Sequence, residues 1–240
     1  MNYISNVNYS YIPFSDMNNL EDDGLNVCAE LILKYRKKDF NQNQKLFIGG
    51  CGDGREAFFF HKRFNCQVVG VDYGLTSDQI NDSISIYKGN LMDLKWVDNE
   101  FDAVFSYHVL EHVGDPILAL ENLKRVLKSD EIMLIGFPNR KRLFGYIGSR
   151  NVNFMTKIKW NLSDYKSRLS FRFQNKYGAH AGFSEKEFLH MSKNIFSDII
   201  PVTNEYMLNK YASKSLLINF LIKMKISNFL FPSLYFICKK

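Results

Sequence analysis

Apolar and polar residues along this chain follow two rhythms that take turns in a regular order. "KLFIG", from Lys45, is a short apolar run of the kind that fills a buried strand, and "REAFFFHKRF" then repeats apolar residues at helical spacing. "CQVVGVD" predicts a second strand. "DSISIYKG" predicts a third, reached by a short link with little helical pattern, Tyr73 to Asn81. "FDAVFSYHV" predicts a fourth strand. "DPILALENLKRVLKS" predicts a helix with Asp115 as its N-cap, Pro116 in the first turn, and Ile117, Leu120, Leu123 and Leu127 on one face. "EIMLIGFP" predicts a fifth strand. Strands alternating with helices in this way imply a doubly wound α/β architecture around a mostly parallel sheet.

Both ends of the chain carry further elements. Ahead of the alternation, "LEDDGLNVCAELILKYRKKDF" has helical periodicity, with acids early and bases late. Residues 1–44 therefore read as an N-terminal helical extension and residues 45–240 as the main domain. Between Asn139 and Gly182 the rhythm breaks, so 139–182 reads as an insert after the fifth strand. Beyond it, "SEKEFLHMSKN" predicts a helix with a Ser184–Glu187 capping box. "FSDIIPVTNEYML" predicts a sixth strand, "SKSLLINFLIKMKI" a helix and "PSLYFICKK" a seventh strand. That apolar C-terminal stretch is interrupted by Lys223, Lys225, Asn228 and Pro232, which argues against a spanning helix. A helix packed on the sheet is expected, with peripheral contact to a lipid surface as the alternative.

Composition adds little to this picture, and charge adds more. With 46% hydrophobic and 23% charged residues, a normal core is expected. The four cysteines, Cys28, Cys51, Cys66 and Cys238, lack CxxC spacing, which excludes a zinc knuckle or disulfide framework and suits a reducing cytoplasm. No secretory signal pattern opens the sequence. The net charge of +6 is concentrated in the insert, where ten Lys and Arg face one acid, Asp164. Basic residues interleaved with aromatics suit an anionic partner.

The chemistry begins at "GGCGDGREA". Gly50, Gly52 and Gly54 follow the first strand and open the first helix of the alternation. "GDGREA" fits the dinucleotide pattern G-x-G-x-x-A, and "GCGDG" fits the looser turn of S-adenosylmethionine (SAM) enzymes. Asp72 ends the second strand, where a carboxylate can accept both ribose hydroxyls of either cofactor. Asp93 follows the third strand, where it can accept from an adenine amino group.

The stretch "FDAVFSYHVLEHVGDPILALENLKRVLKSDEIMLIGFPN" resembles the class I SAM-dependent methyltransferases, in the broad subgroup that includes the ubiquinone and menaquinone methylases. The likeness covers roughly residues 45–139. It implies a Rossmann-like methyltransferase fold of seven strands, the last one antiparallel, and SAM as cofactor. It implies that Gly50, Cys51, Gly52 and Gly54 approach the methionine part, that Asp72 with Tyr73 holds the ribose, that Met92, Asp93 and Leu94 frame the adenine, and that Ser106 and Tyr107 line the sulfonium side. The chain departs from the family in three places: Ile48 stands where an acid usually helps hold the methionine amino group, "KSDE" replaces the usual glycines, and the second crossover is short.

Methyl transfer to oxygen needs a proton acceptor, and histidine suits best near neutral pH. His108, His112 and His180 are the candidates. "HVLEH" with the later "HAGF" also loosely resembles the small-RNA 2′-O-methyltransferases, in which two Glu and two His bind a divalent metal. Glu111, His112 and His180 match that pattern, while His108 replaces its first Glu, and no metal is assigned from the sequence. The expected acceptor is a small or mid-sized molecule, anionic by the charge of the insert, such as a sugar, glycan precursor or lipid-linked intermediate. RNA is the alternative, and a methyltransferase-like binding module without activity is the alternative outside enzymes.

Overall fold

The computed structural model describes residues 22–146 and 152–240. The expectations for residues 1–21, and for Arg150 in the insert, lie outside the described residues. The strands are β1 (Lys45–Gly49), β2 (Gln67–Asp72), β3 (Gln79–Ile80), β4 (Ile84–Lys88), β5 (Phe101–Tyr107), β6 (Leu127–Pro138), β7 (Asp198–Pro201) and β8 (Ser233–Lys239). They form one eight-stranded sheet in the order β3-β4-β2-β1-β5-β6-β8-β7. The five from β4 to β6 are parallel. β3, β7 and β8 run antiparallel to their neighbours. The sheet thus has one strand more than expected: β3, two residues long, pairs with β4 inside the helix-free second crossover.

The helices are α1 (Asp23–Arg36), α2 (Arg55–Phe64), α3 (Pro116–Val126), α4 (Phe154–Leu169), α5 (Glu185–Ser192), α6 (Thr203–Lys210), α7 (Ser215–Lys223) and α8 (Ser227–Leu230). Alternation along β1 shows how they are layered. Leu46 and Ile48 face a core shared with α1, α2 and α6, while Phe47 faces one shared with α3 and α5. Phe47 and Phe60 are fully buried, worth about 2–3 kcal/mol each in apolar transfer. α1 belongs to the first of these layers: Val27, Cys28, Leu31 and Ile32 lie in the core, and Arg36 makes a buried two-point ion pair with Glu131 of β6 at 2.8 and 3.1 Å.

Local chemistry fixes the helix starts. Asp115 accepts from the amides of Ile117 and Leu118 and caps α3. Ser184 and Glu187 form the full capping box of α5. The sixth strand is shorter than expected: only Asp198–Pro201 is β7, and Tyr206 and Met207 sit on α6. α7 buries Ile218 and half-buries Leu221 and Ile222 against the core, but leaves Leu216, Leu217 and Phe220 in solvent. Among the described residues no helix is long and apolar enough to cross a membrane. All four cysteines are free thiols buried in the fold.

The chain runs from β1 outward to β4, then returns to place β5 on the other side of β1. The carboxyl ends of β1 and β5 are therefore the switch point, where an open α/β sheet leaves a crevice.

Candidate active site

The glycine turn sits at that switch point. Gly50, Gly52 and Gly54 all have positive φ, at 82°, 53° and 89°. Gly50 is the tightest position: a Cβ there would lie 2.0 Å from Cγ2 of Val109, on the loop after β5. Glycine is what lets that loop and the turn approach. The Gly50 amide donates to the Val71 carbonyl, and the Gly52 amide donates to Asp72 Oδ2 at 2.9 Å. The Gly74 amide takes Asp72 Oδ1 at 2.7 Å. Asp72 is thus held at the end of β2 by two backbone donors, and each carboxylate oxygen keeps a second acceptor site. The Cys51 thiol is buried, which pushes its pKa up, and it packs in the space over Gly70.

The other expected cofactor residues separate into groups. Met92 and Asp93 lie in a 3-10 turn, Leu91–Asp93, after β4. Asp93 points to solvent and pairs with Lys95 at 2.6 Å. Leu94 is buried in the core and Tyr73 is exposed. Ser106 donates to the Gly49 carbonyl at 2.8 Å and ties β5 to β1. These placements leave Asp72 and the glycine turn as the group assembled at the crevice.

Next to the turn lies a cavity of about 320 Å³. Tyr107 and His108 bring it the end of β5, Arg142, Tyr146 and His180 come from the insert, and Tyr206 and Lys210 come from α6. Tyr235 of β8 stacks on Tyr206 with ring centroids 3.8 Å apart and lies 3.2 Å from Tyr107 oxygen to oxygen. Among the described residues no Asp or Glu lines this cavity. Apart from Tyr107, the cavity tyrosines, with Arg142 and Lys210, are not among the site residues read from the sequence. Tyr206 and Lys210 were concealed because their helix read as a strand.

The three expected histidines come together. His112 and His180 meet edge to face, with ring centroids 4.7 Å apart. His108 has φ 56° and reaches the Ser233 hydroxyl at 3.0 Å through Nε2. Burial, then the neighbouring His180, Arg142 and His112, hold the His108 imidazole well below its ordinary pKa. Burial and His180 do the same to His112, and burial and Arg142 to His180. Burial thus favours the neutral form of all three. Beneath them Glu111 is fully buried, with Oε1 3.9 Å from His108 and 3.8 Å from His112. Neither of its oxygens has a hydrogen-bond partner among the described residues, and burial pushes its pKa up to about 8. Donor atoms of Glu111, His112 and His180 lie within 4.8 Å of one another.

Three arginines of the insert, Arg140, Arg142 and Arg168, are committed to partners within it or beside it. Arg142 is buried, pairs with Asp164 at 3.0 Å and donates to the carbonyls of His180 and Asn139. Arg168 donates to the carbonyls of Arg140 and Arg142, and Arg140 pairs with Glu187.

Part of the sequence, and the fold, are similar to those of known proteins. The profile of the "Methyltransferase domain" family matches residues 49–135. An uncharacterized methyltransferase of Schizosaccharomyces pombe is 32% identical over 118 residues, covering 42% of this chain and 41% of that protein. The O-methyltransferase resE of Aspergillus sclerotiorum is 29% identical over 97 residues, 35% of this chain and 36% of that protein. The chain thus spans less than half the length of these relatives. Among solved structures, a phosphoethanolamine N-methyltransferase 2 of Haemonchus contortus superposes with a TM-score of 0.58 at 17% identity, covering 100% of this chain and 61% of that one. A geranyl diphosphate C-methyltransferase of Streptomyces coelicolor gives 0.51 at 17% identity, covering 89% and 74%. Residues 49–135 thus match a methyltransferase domain, and these likenesses support a relation to the class I SAM-dependent methyltransferases.

Proposed function

We propose that the chain uses SAM to methylate an oxygen of a small acceptor held in the tyrosine-lined cavity. The observation that carries this reading is the junction at β5: the glycine turn with Asp72 lies on one side of it, and a cavity with neutral imidazoles on its wall lies on the other. Turn and carboxylate fit the cofactor, since close backbone approach and a carboxylate with acceptor capacity left are what its amino acid and ribose parts require. When bound, SAM supplies a methyl group on a sulfonium. The chain's own part is to align an acceptor and take its proton. His108 and His180 face the cavity, and His180, whose basicity is lowered less than that of His108, is the better placed of the two to accept that proton. The tyrosine stack gives a flat wall for a ring-bearing acceptor, and Lys210 gives a positive end for an anionic one.

Calorimetry with SAM is expected to show one site of micromolar affinity, and labelled SAM to yield product with a panel of sugar, phenol and lipid-linked acceptors. No binding at millimolar SAM would leave a binding module without the cofactor, the outcome that Ile48 would favour.

A second reading is supported by the orphaned oxygens of Glu111. A buried carboxylate without donors, beside two neutral imidazoles, is a donor set suited to a divalent transition metal. Glu111, His112 and His180 would hold the ion, which would polarise an acceptor oxygen such as a ribose 2′-hydroxyl of RNA. Protein purified without a nickel column and dialysed with manganese is expected, on this reading, to retain about one ion per chain, and Glu111→Gln to retain none. A metal-free wild type ends it.

A further inference from the structure

A second buried carboxylate lies on the other side of the junction. Glu56 is the second residue of α2, in the first turn after Gly54. Its Oε2 is wholly shielded from solvent and has no hydrogen-bond partner among the described residues. Three other carboxylates, Asp22, Asp53 and Asp72, raise its pKa further after burial has done so, to about 8. Arg55 is the cation that opposes them, and it is already paired with Asp53 at 2.8 Å. Glu56 in turn acts electrostatically on Cys51 in the glycine turn and on Tyr107 at the cavity.

A buried, partnerless carboxylate oxygen is costly, and its natural complement is a cation that also donates hydrogen bonds. SAM carries two positive groups. The sulfonium has no N–H to offer, whereas the α-ammonium has three. Ile48, at the end of β1, is fully buried in the apolar core and provides no acceptor.

We propose that Glu56 holds the α-ammonium of the cofactor, supplying from the first turn of α2 the carboxylate that β1 lacks. This rests on the SAM reading above. Asp72 stays with the ribose, and Glu56 fixes the opposite end.

The test is calorimetry with S-adenosylhomocysteine and with its analogue lacking the amino group, on the wild type and on Glu56→Gln. The wild type is expected to prefer the amino-bearing ligand by at least about tenfold. Glu56→Gln is expected to lose about tenfold or more for that ligand and less than about threefold for the analogue. Its melting temperature without ligand should be equal or higher, because a neutral amide replaces a carboxyl group whose shielded oxygen has no partner among the described residues. Equal losses for both ligands, no preference in the wild type, or a clear fall in melting temperature would overturn the assignment. A wild type that binds neither ligand removes the SAM reading itself, a result separable from failure of Glu56 alone.

Discussion

Replacing Gly182 with alanine is expected to lower the melting temperature by about 6–12 °C, among the largest single effects in the domain. Gly182 is where the insert returns to the sheet. Its φ is 68°, and a Cβ would lie 1.7 Å from the carbonyl oxygen of Pro138 at the end of β6. That oxygen also accepts from the Phe183 amide at 3.1 Å, and the Gly182 carbonyl accepts from Arg140 at 2.7 Å. A backbone atom cannot swing aside as a side chain can, so the return must separate from β6. Strain plus lost pairing costs about 3 kcal/mol, and each kcal/mol is worth about 2–4 °C in a domain of this size. Gly178→Ala is the control. Its φ is 75° but its Cβ would meet open space, so only the left-handed backbone cost of about 1 kcal/mol applies. Thermal unfolding of both variants decides the matter: equal shifts would mean the contact with Pro138 is unimportant.

Arg142→Met is expected to destabilise by about 3–5 kcal/mol, the cost of removing one partner from a buried ion pair. Asp164 would keep the Tyr146 hydroxyl, at 3.2 Å, and the His180 carbonyl would lose its guanidinium donor, while the Asn139 carbonyl would keep the backbone amide of residue 142. Arg142→Lys should recover only part of this, because an ammonium lacks the planar fork that reaches an acid and two carbonyls together. Because the glycine turn is not among these contacts, cofactor affinity should change less than about threefold while tryptic cleavage within 139–182 accelerates. Denaturant unfolding, proteolysis and calorimetry on the same preparations check the three parts. An unchanged cleavage rate would show that the insert does not depend on this arginine.

The sheet was legible in the sequence because its signal is local: each strand is a short apolar run, and the caps at Asp115 and Ser184 lie next to the helices they start. The two elements that misled were those where local signals conflict. "SDIIPVTNEYML" has apolar residues at both ends of a polar Thr203–Glu205 step, and only tertiary packing separates β7 from α6. β3 is two residues long and carries no periodicity at all. In the site, the glycine turn, Asp72 and the convergence of His108, His112 and His180 could be read from position relative to the strands. Glu56 and Glu111 could not be known as orphans, since lacking a partner is a property of surroundings rather than of spacing. Spacing likewise does not reveal that Ser106, expected on the sulfonium side, bonds to Gly49, or that Asp93, expected at the adenine, pairs with Lys95. The basic insert shows the same limit for charge: the sequence counts cations, but Arg140, Arg142 and Arg168 are neutralised or capped by groups within 50 residues of them.

The internal wiring of the insert has a practical consequence for finding the acceptor. A cover strapped to the sheet through Arg142 and Gly182 is a fixed wall and not a hinged door, so the outline of the cavity in the free protein is the outline an incoming molecule meets. Shape can then be used directly: rigid ring compounds of graded width, soaked or titrated one by one, should show a sharp size cutoff instead of the gradual decline that a yielding lid produces.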